Sequence, residues 1–138
     1  MAYTVTVRQV APRWIAAARG KKMMPLLDQA WAFIKESGIK SDGHNIAIYR
    51  REGIEAGAGV FEKFAGSGAI HCVATPYGLA ASAIHMGAYE KLGEAHHAIR
   101  DWCTANGHEI EGTNWEIYGH WEEDAAKQRT DVFYLLRS

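Results

Sequence analysis

The sequence predicts an α+β fold, namely a duplicated strand-helix-strand-strand unit with antiparallel sheets, helices on the outside and a ligand cleft between the two halves. Three observations lead there. The segments "ESGIKSDGHNIAIYR" and "TANGHEIEGTNWEIYG" can be laid over each other without a gap, so that Gly38 meets Gly107, Gly43 meets Gly112, Asn45 meets Asn114, Ile48 meets Ile117 and Tyr49 meets Tyr118, each pair sixty-nine positions apart. Each half carries one apolar stripe at helical spacing, and short runs of strand-like alternation surround both stripes.

In the first half, Tyr3 to Val10 alternates polar and apolar residues and reads as a strand, and Arg13 to Gly20 ("RWIAAARG") reads as a second. Met23, Leu27, Ala30, Trp31 and Ile34 then recur every three or four positions, so a helix is expected from about Lys22 to Ser37, with Pro25 tolerated in the first turn and Gly38 as its stop. "HNIAIYRR" and "IEAGAGVFEKF" are two further strands across the Arg51-Glu52-Gly53 turn. The order returns in the second half. "AIHCVATP" and "GLAASAIH" are strands divided by a turn at Pro76-Tyr77-Gly78. Leu92, Ala95, His96, Ile99, Trp102 and Cys103 form the stripe of a helix from about Tyr89 to Ala105, stopped by Asn106-Gly107. "TNWEIYGHW" and "RTDVFYLL" close the repeat. The whole reads as one domain, 1–138, with halves of about 1–65 and 66–138. One such unit cannot cover both faces of its own sheet, which two packed units can do.

Composition narrows the function classes. A chain of 138 residues buries roughly two-thirds of its unfolded surface, enough for one core without staples. Fifteen Lys and Arg against 16 Asp and Glu leave a formal charge of −1, so neither direct nucleic-acid binding nor attraction to an anionic membrane is expected. Cys72 and Cys103 lie in apolar segments without CxxC spacing, which fits inert buried thiols in a reducing cytoplasm. The first ten residues lack the apolar run of a signal peptide. His96 and His97 are adjacent on a helix and His44, His71 and His108 have no ligand spacing, so no metal site and no cofactor are expected.

The strand "TNWEIYGHW" raises the functional question, because it carries one carboxylate among aromatic and aliphatic residues. Alternation puts Trp115 and Ile117 on one face and Asn114, Glu116, Tyr118 and His120 on the other. The expectation is that the Ile/Trp face lies under the helix and that the Glu/Tyr face turns to the seam between the halves. Ala47 and Tyr49 take the same seam-facing positions in the first copy, so Glu116 is an acid added to one half only. The bordering strands are rich in Ala and Gly, which leaves room for a guest or else allows a helix or sheet to approach closely.

The second half from Thr75 onward resembles the GyrI-like, or bacterial effector-binding, domain family, found in AraC-type and MerR-type regulators and as free-standing proteins. Pro76 and Gly78 before a strand, "HMGAYEKL" (His85 to Leu92), Trp102, "WEIY" (Trp115 to Tyr118) and "RTDVFY" (Arg129 to Tyr134) carry the resemblance, and "VAPRWIAAARG" extends it loosely into the first half. The resemblance implies a fold of two strand-helix-strand-strand units with a cleft between them. It implies also a multidrug-type small-molecule binding protein, related to transcription regulators, with a glutamate at Glu116 and a tyrosine at Tyr89. No helix-turn-helix is expected, since every segment is used by the effector-binding unit. Free-standing relatives of this kind include hydrolases of reactive electrophiles and gyrase-inhibitor-like interaction proteins, and both stand as alternatives.

The chemistry suits such a role. A carboxylate in an apolar seam costs several kcal/mol if it stays charged and unpaired, so it can pair with a cationic ligand or act as a general acid and base. It can also be tied structurally, for instance to Arg129 on the last strand. Tyr49, Phe61, Tyr89 and Tyr118 are expected to line the cleft over Glu116, with Met24 and His85 as further contacts. Under the hydrolase alternative Glu116 and Tyr118 are catalytic. The expected partner is a lipophilic, aromatic or cationic small molecule, with a homodimer allowed for.

Overall fold

In the computed structural model, which describes residues 3–137, the three-residue links Ala11-Pro12-Arg13 and Thr75-Pro76-Tyr77 decide the architecture. Each joins two strands that do not pair with each other. Strand β1 (Thr6–Val10) pairs antiparallel with β6 (Gly78–Met86), whereas β2 (Trp14–Gly20), which follows β1 directly, pairs with β4 (Gly53–Val60) and β5 (His71–Ala74). Proline fixes its own φ and holds the preceding residue extended, so neither link folds back as a hairpin. The leading strand of each half therefore joins the sheet of the other.

The chain accordingly forms two compact units, residues 12–75 and residues 3–11 with 76–137. These units differ in their bounds from the repeat halves read in the sequence, about 1–65 and 66–138, because each leading strand pairs in the unit that does not follow it in the chain. The first unit has strand order β3-β4-β2-β5, with β3 at Ser41–Arg50, and helix α1 (Met23–Ser37). The second has order β1-β6-β8-β7, with β7 at Ile110–Tyr118 and β8 at Arg129–Leu136, and helix α2 (Leu92–Ala105). Every strand pair resolved within a unit is antiparallel, so the fold is α+β as expected. Among the described residues no helix is long and apolar enough to cross a membrane.

Corresponding details recur in the two units. Gly38 and Gly107 follow the helices with φ of 73° and 74°, the left-handed conformation that a Cβ disfavours. The β3–β4 register shifts between Ser41 and Asn45, and the β7–β8 register shifts between Ile110 and Asn114, the same place sixty-nine positions on. Gly43 (φ 84°) and Gly112 (φ 122°) supply the backbone for those bulges. The first bulge begins β3 at Ser41, earlier than the expected His44, with Asp42 accepting from the His44 N–H at 2.9 Å. Strand β4 stops at Val60, short of the expected Phe64. Phe64 instead packs on Phe33 of α1, their ring centroids 5.6 Å apart.

In both units the helix covers the face opposite to the one expected. In the first, Trp31 on α1 donates to Asn45 Oδ1 at 2.6 Å, and Tyr49 donates to Met23 Sδ at 3.8 Å, so the Asn45/Ala47/Tyr49 face lies beneath α1. Cross-strand pairing places Ala16, Ala18, Ala56 and Ala58 on that face too, all buried. The small side chains let α1 settle close to the sheet, while the bulkier Ile46 and Ile48 occupy the other face. Gly57, between Ala56 and Ala58, is confined by the neighbouring strand rather than by the helix, because a methyl there would collide with the Ala16 carbonyl of β2. In the second unit Ala81, Ala83, Val132, Tyr134 and Leu136 meet Ala95, Ile99 and Cys103 of α2 in one core. Trp115 and Phe133 stack on the opposite face, centroids 5.0 Å apart and nearly parallel.

Candidate functional site

Register carries Glu116 into that second core. Glu116 lies opposite Val132 and Tyr118 opposite Thr130, so all four share the face that α2 covers, and Glu116 is 4% exposed. An ionised carboxylate there needs partners. Tyr118 donates to Glu116 Oε1. Glu116 Oε2 lies 2.6 Å from His96 Nε2 on α2, and His96 Nδ1 lies 2.6 Å from the Tyr134 hydroxyl. Arg100, one helical turn after His96, donates to the same Tyr134 hydroxyl at 2.8 Å, with its guanidinium carbon 5.9 Å from the ring centroid.

One proton arrangement satisfies the whole chain. Arg100 donates to Tyr134, Tyr134 to His96 Nδ1, and His96 Nε2–H to Glu116, whose other oxygen accepts from Tyr118. Glu116 is then the charged end of a run of hydrogen bonds that starts at an exposed guanidinium. Burial raises the Tyr134 phenol above its ordinary value and the Glu116 charge acts the same way, while Arg100 opposes both, so the hydroxyl stays protonated at neutral pH.

Tyr89 opens the short 3-10 turn before α2, and its ring meets Tyr118 edge-on at 5.9 Å. At 49% exposure it links this buried system to the surface. Burial of the rest of the ring raises the Tyr89 phenol as well. His85 positions the turn. It is buried, 2.8 Å from the Tyr3 hydroxyl and 2.9 Å from the Ala88 carbonyl oxygen, so it anchors the residue before Tyr89. Thr130 stands between His85 and Tyr118 on neighbouring strands, and its buried hydroxyl has no hydrogen-bond partner among the described residues.

The structure thus brings together Glu116, Tyr118 and Tyr89, with His85 behind Tyr89. Tyr49 lies in the other unit, half-buried against Met23, while Met24 and Phe61 are 62% and 67% exposed. The Glu116 face turns to α2 rather than away from it, and the alternative tie to Arg129 does not form, because Arg129 pairs with Asp131 at 2.7 Å. Sequence reasoning missed His96, Tyr134 and Arg100 as members of the hydrogen-bonded chain that ends at Glu116. The available signal was His96 itself, a polar residue on the otherwise apolar stripe of α2.

The positions of the first unit that correspond to His96, Glu116 and Tyr134 carry no polar side chain. Sixty-nine positions before His96 and Glu116 stand Leu27 and Ala47, and the register position of Tyr134 is held by Ala58. All three are buried and apolar. The polar chain is therefore a local addition to one of two similarly ordered units.

No protein-family model matches the chain, and no curated protein matches it. Solved structures do. The chain is similar to the crystal structure of the EcmrR C-terminal domain, with 19% identity, a TM-score of 0.83, and coverage of 100% of this chain and 99% of that one. It is also similar to a hydrolase from Listeria innocua, at 9% identity, TM-score 0.69, covering 99% and 93% of the two chains. A third similar structure is SAV2435 bound to tetraphenylphosphonium, at 15% identity, TM-score 0.56, covering 100% and 95%. At these identities the likeness is one of fold.

Proposed function

We propose that this chain is a small-molecule-binding protein of the GyrI-like effector-binding type, built on an internally duplicated scaffold, and that Glu116 is its anionic anchor for a lipophilic, aromatic cation. The observation that carries the reading is the buried Glu116 carboxylate beside Tyr118 and Tyr89, in a unit whose counterpart holds alanine at the same place. A cation that reached Glu116 would exchange hydrogen-bond donors for a full opposite charge, and the two phenol rings would offer it their faces. Tetraphenylphosphonium, which one similarly folded protein binds, is a ligand of this class.

The test is a thermal-shift titration of the wild type and Glu116→Gln with tetraphenylphosphonium. Saturable stabilisation of the wild type, lost in the variant, is expected. Equal shifts in both would remove Glu116 as the anchor.

One observation favours a second reading as a hydrolase, the contact of His96 with the carboxylate. In it Glu116 takes a proton from a water whose oxygen bonds to an electrophilic carbon as the bond from that carbon to the leaving atom breaks, Tyr118 gives the leaving atom its proton, and the proton on Glu116 passes back to Tyr118 through their hydrogen bond. His96 then holds the carboxylate in place as a positioning residue. Single-turnover assays with small electrophiles distinguish the readings, since Glu116→Gln would bind substrate without turning it over. Full turnover by the variant would exclude Glu116 as the base.

A further inference from the structure

A second charged arrangement lies in the other unit, on the sheet face turned away from α1. Glu55 on β4 is buried, and its two oxygens accept from different strands: Arg19 Nε of β2 at 2.8 Å and Arg50 Nε of β3 at 2.8 Å. Arg19 and Glu55 are cross-strand neighbours, as are Glu55 and Ile48, with Arg50 two residues further along the same face. One carboxylate thus holds two guanidinium groups by their inner nitrogens. The terminal Nη atoms of both have no hydrogen-bond partner among the described residues.

These groups border a concavity of about 580 Å³ lined also by Gly20, Lys21, Glu52, Gly53 and Ile54. Gly53 has φ of 146°, and a methyl there would lie 3.0 Å from the Gly20 carbonyl oxygen, so this backbone stays bare. The lining carries three cations and two carboxylates, and one of those carboxylates is already engaged by both arginines. Burial alone would raise the Glu55 carboxyl, but the two arginine bonds more than offset it and hold the group ionised. The arginines are therefore oriented by a carboxylate of the protein itself. Guanidinium groups with free Nη pairs match the oxygen spacing of carboxylates and phosphates.

We infer that the Arg19–Glu55–Arg50 arrangement, with Lys21, is an oxyanion-binding site for a carboxylate or phosphate group, distinct in place and in charge from the Glu116 site. Glu55 serves as the positioning residue and the two Nη ends as the contacts. The inference does not depend on what Glu116 binds.

The experiment is isothermal titration of the intact chain with inorganic phosphate and, separately, with succinate, in chloride at matched ionic strength. Saturable binding of either anion is expected, with about tenfold or greater weakening in Arg19→Gln and in Arg50→Gln. Arg50→Lys, which retains the charge, should weaken binding nearly as much, because the fork is lost. Should Arg50→Gln fail to fold, the exposed Arg19→Gln and Lys21→Gln carry the test. Absence of saturable binding by both anions, or affinity unchanged in the arginine variants, would overturn the inference. Preference between the anions tells which oxyanion the site serves.

Discussion

Glu116 Oε2 and His96 Nε2 stand 2.6 Å apart, one from the middle of a strand and one from the buried stripe of the helix that covers it. Removing either partner takes one hydrogen bond from the other, which keeps its second bond to Tyr118 or Tyr134, at a cost of about 1–3 kcal/mol. Glu116→Gln and His96→Leu should each destabilise by that order in urea unfolding. A double-mutant cycle should return a coupling of at least about 1 kcal/mol. Additive effects would mean the pair contributes no mutual stabilisation.

Tyr134→Phe deletes the hydroxyl shared by His96 and Arg100, and about 1–2 kcal/mol of stability should go with it. The same substitution has a spectroscopic consequence. The folded-state value of this phenol is raised above its ordinary 10.0, so its contribution is fully present below that pH and is lost as pH rises through the higher folded value. Alkaline titration followed by phenolate absorbance should show a late component in the wild type that is missing from Tyr134→Phe.

Glu55 gives a pH dependence of opposite sign. Its folded value is depressed below the ordinary 4.5, so the stability it contributes is present above that pH and is lost as pH falls through the lower folded value. Melting temperatures taken from about pH 6 down to about pH 3 should fall less steeply in Glu55→Gln than in the wild type. Parallel curves would show that the arginines do not stabilise the ionised form.

Gly38 and Gly107 end the two helices at nearly the same positive φ. Replacement by alanine places a Cβ in the left-handed region and should cost about 1 kcal/mol at each position, measured by denaturant unfolding. Neither site has a neighbour within 4 Å of the added methyl, so the cost should be conformational and nearly equal in the two variants.

Much of this architecture was legible in the residues because it depends on local physics. The helical stripes, the glycine stops and the strand that carries Glu116 all follow from periodicity and backbone preference, whereas the bulges at Gly43 and Gly112 showed in the sequence only as a pair of aligned glycines. What could not be read is which face of each sheet the helix takes. Alternation divides Trp115 and Ile117 from Glu116 and Tyr118 but says nothing about which set lies beneath α2. Hydrophobicity suggested the former. Packing chose the latter, because the alanine-rich side lets a helix approach closely.

The sequence by itself determined that one unit carries an acid where the other has alanine, and that Tyr118 follows it on the same strand face. Only the tertiary structure decided what that acid meets. Residues 96, 100, 116, 118 and 134 come from a helix and two strands, and neither spacing nor composition records that the helix sets His96 on Glu116 and Arg100 on Tyr134. The same holds for the exchange of β1 and β5. A proline link excludes a tight hairpin locally, but which sheet receives the strand is settled by long-range pairing, where backbone groups left open on one unit's edge are met by a strand from the other half of the chain.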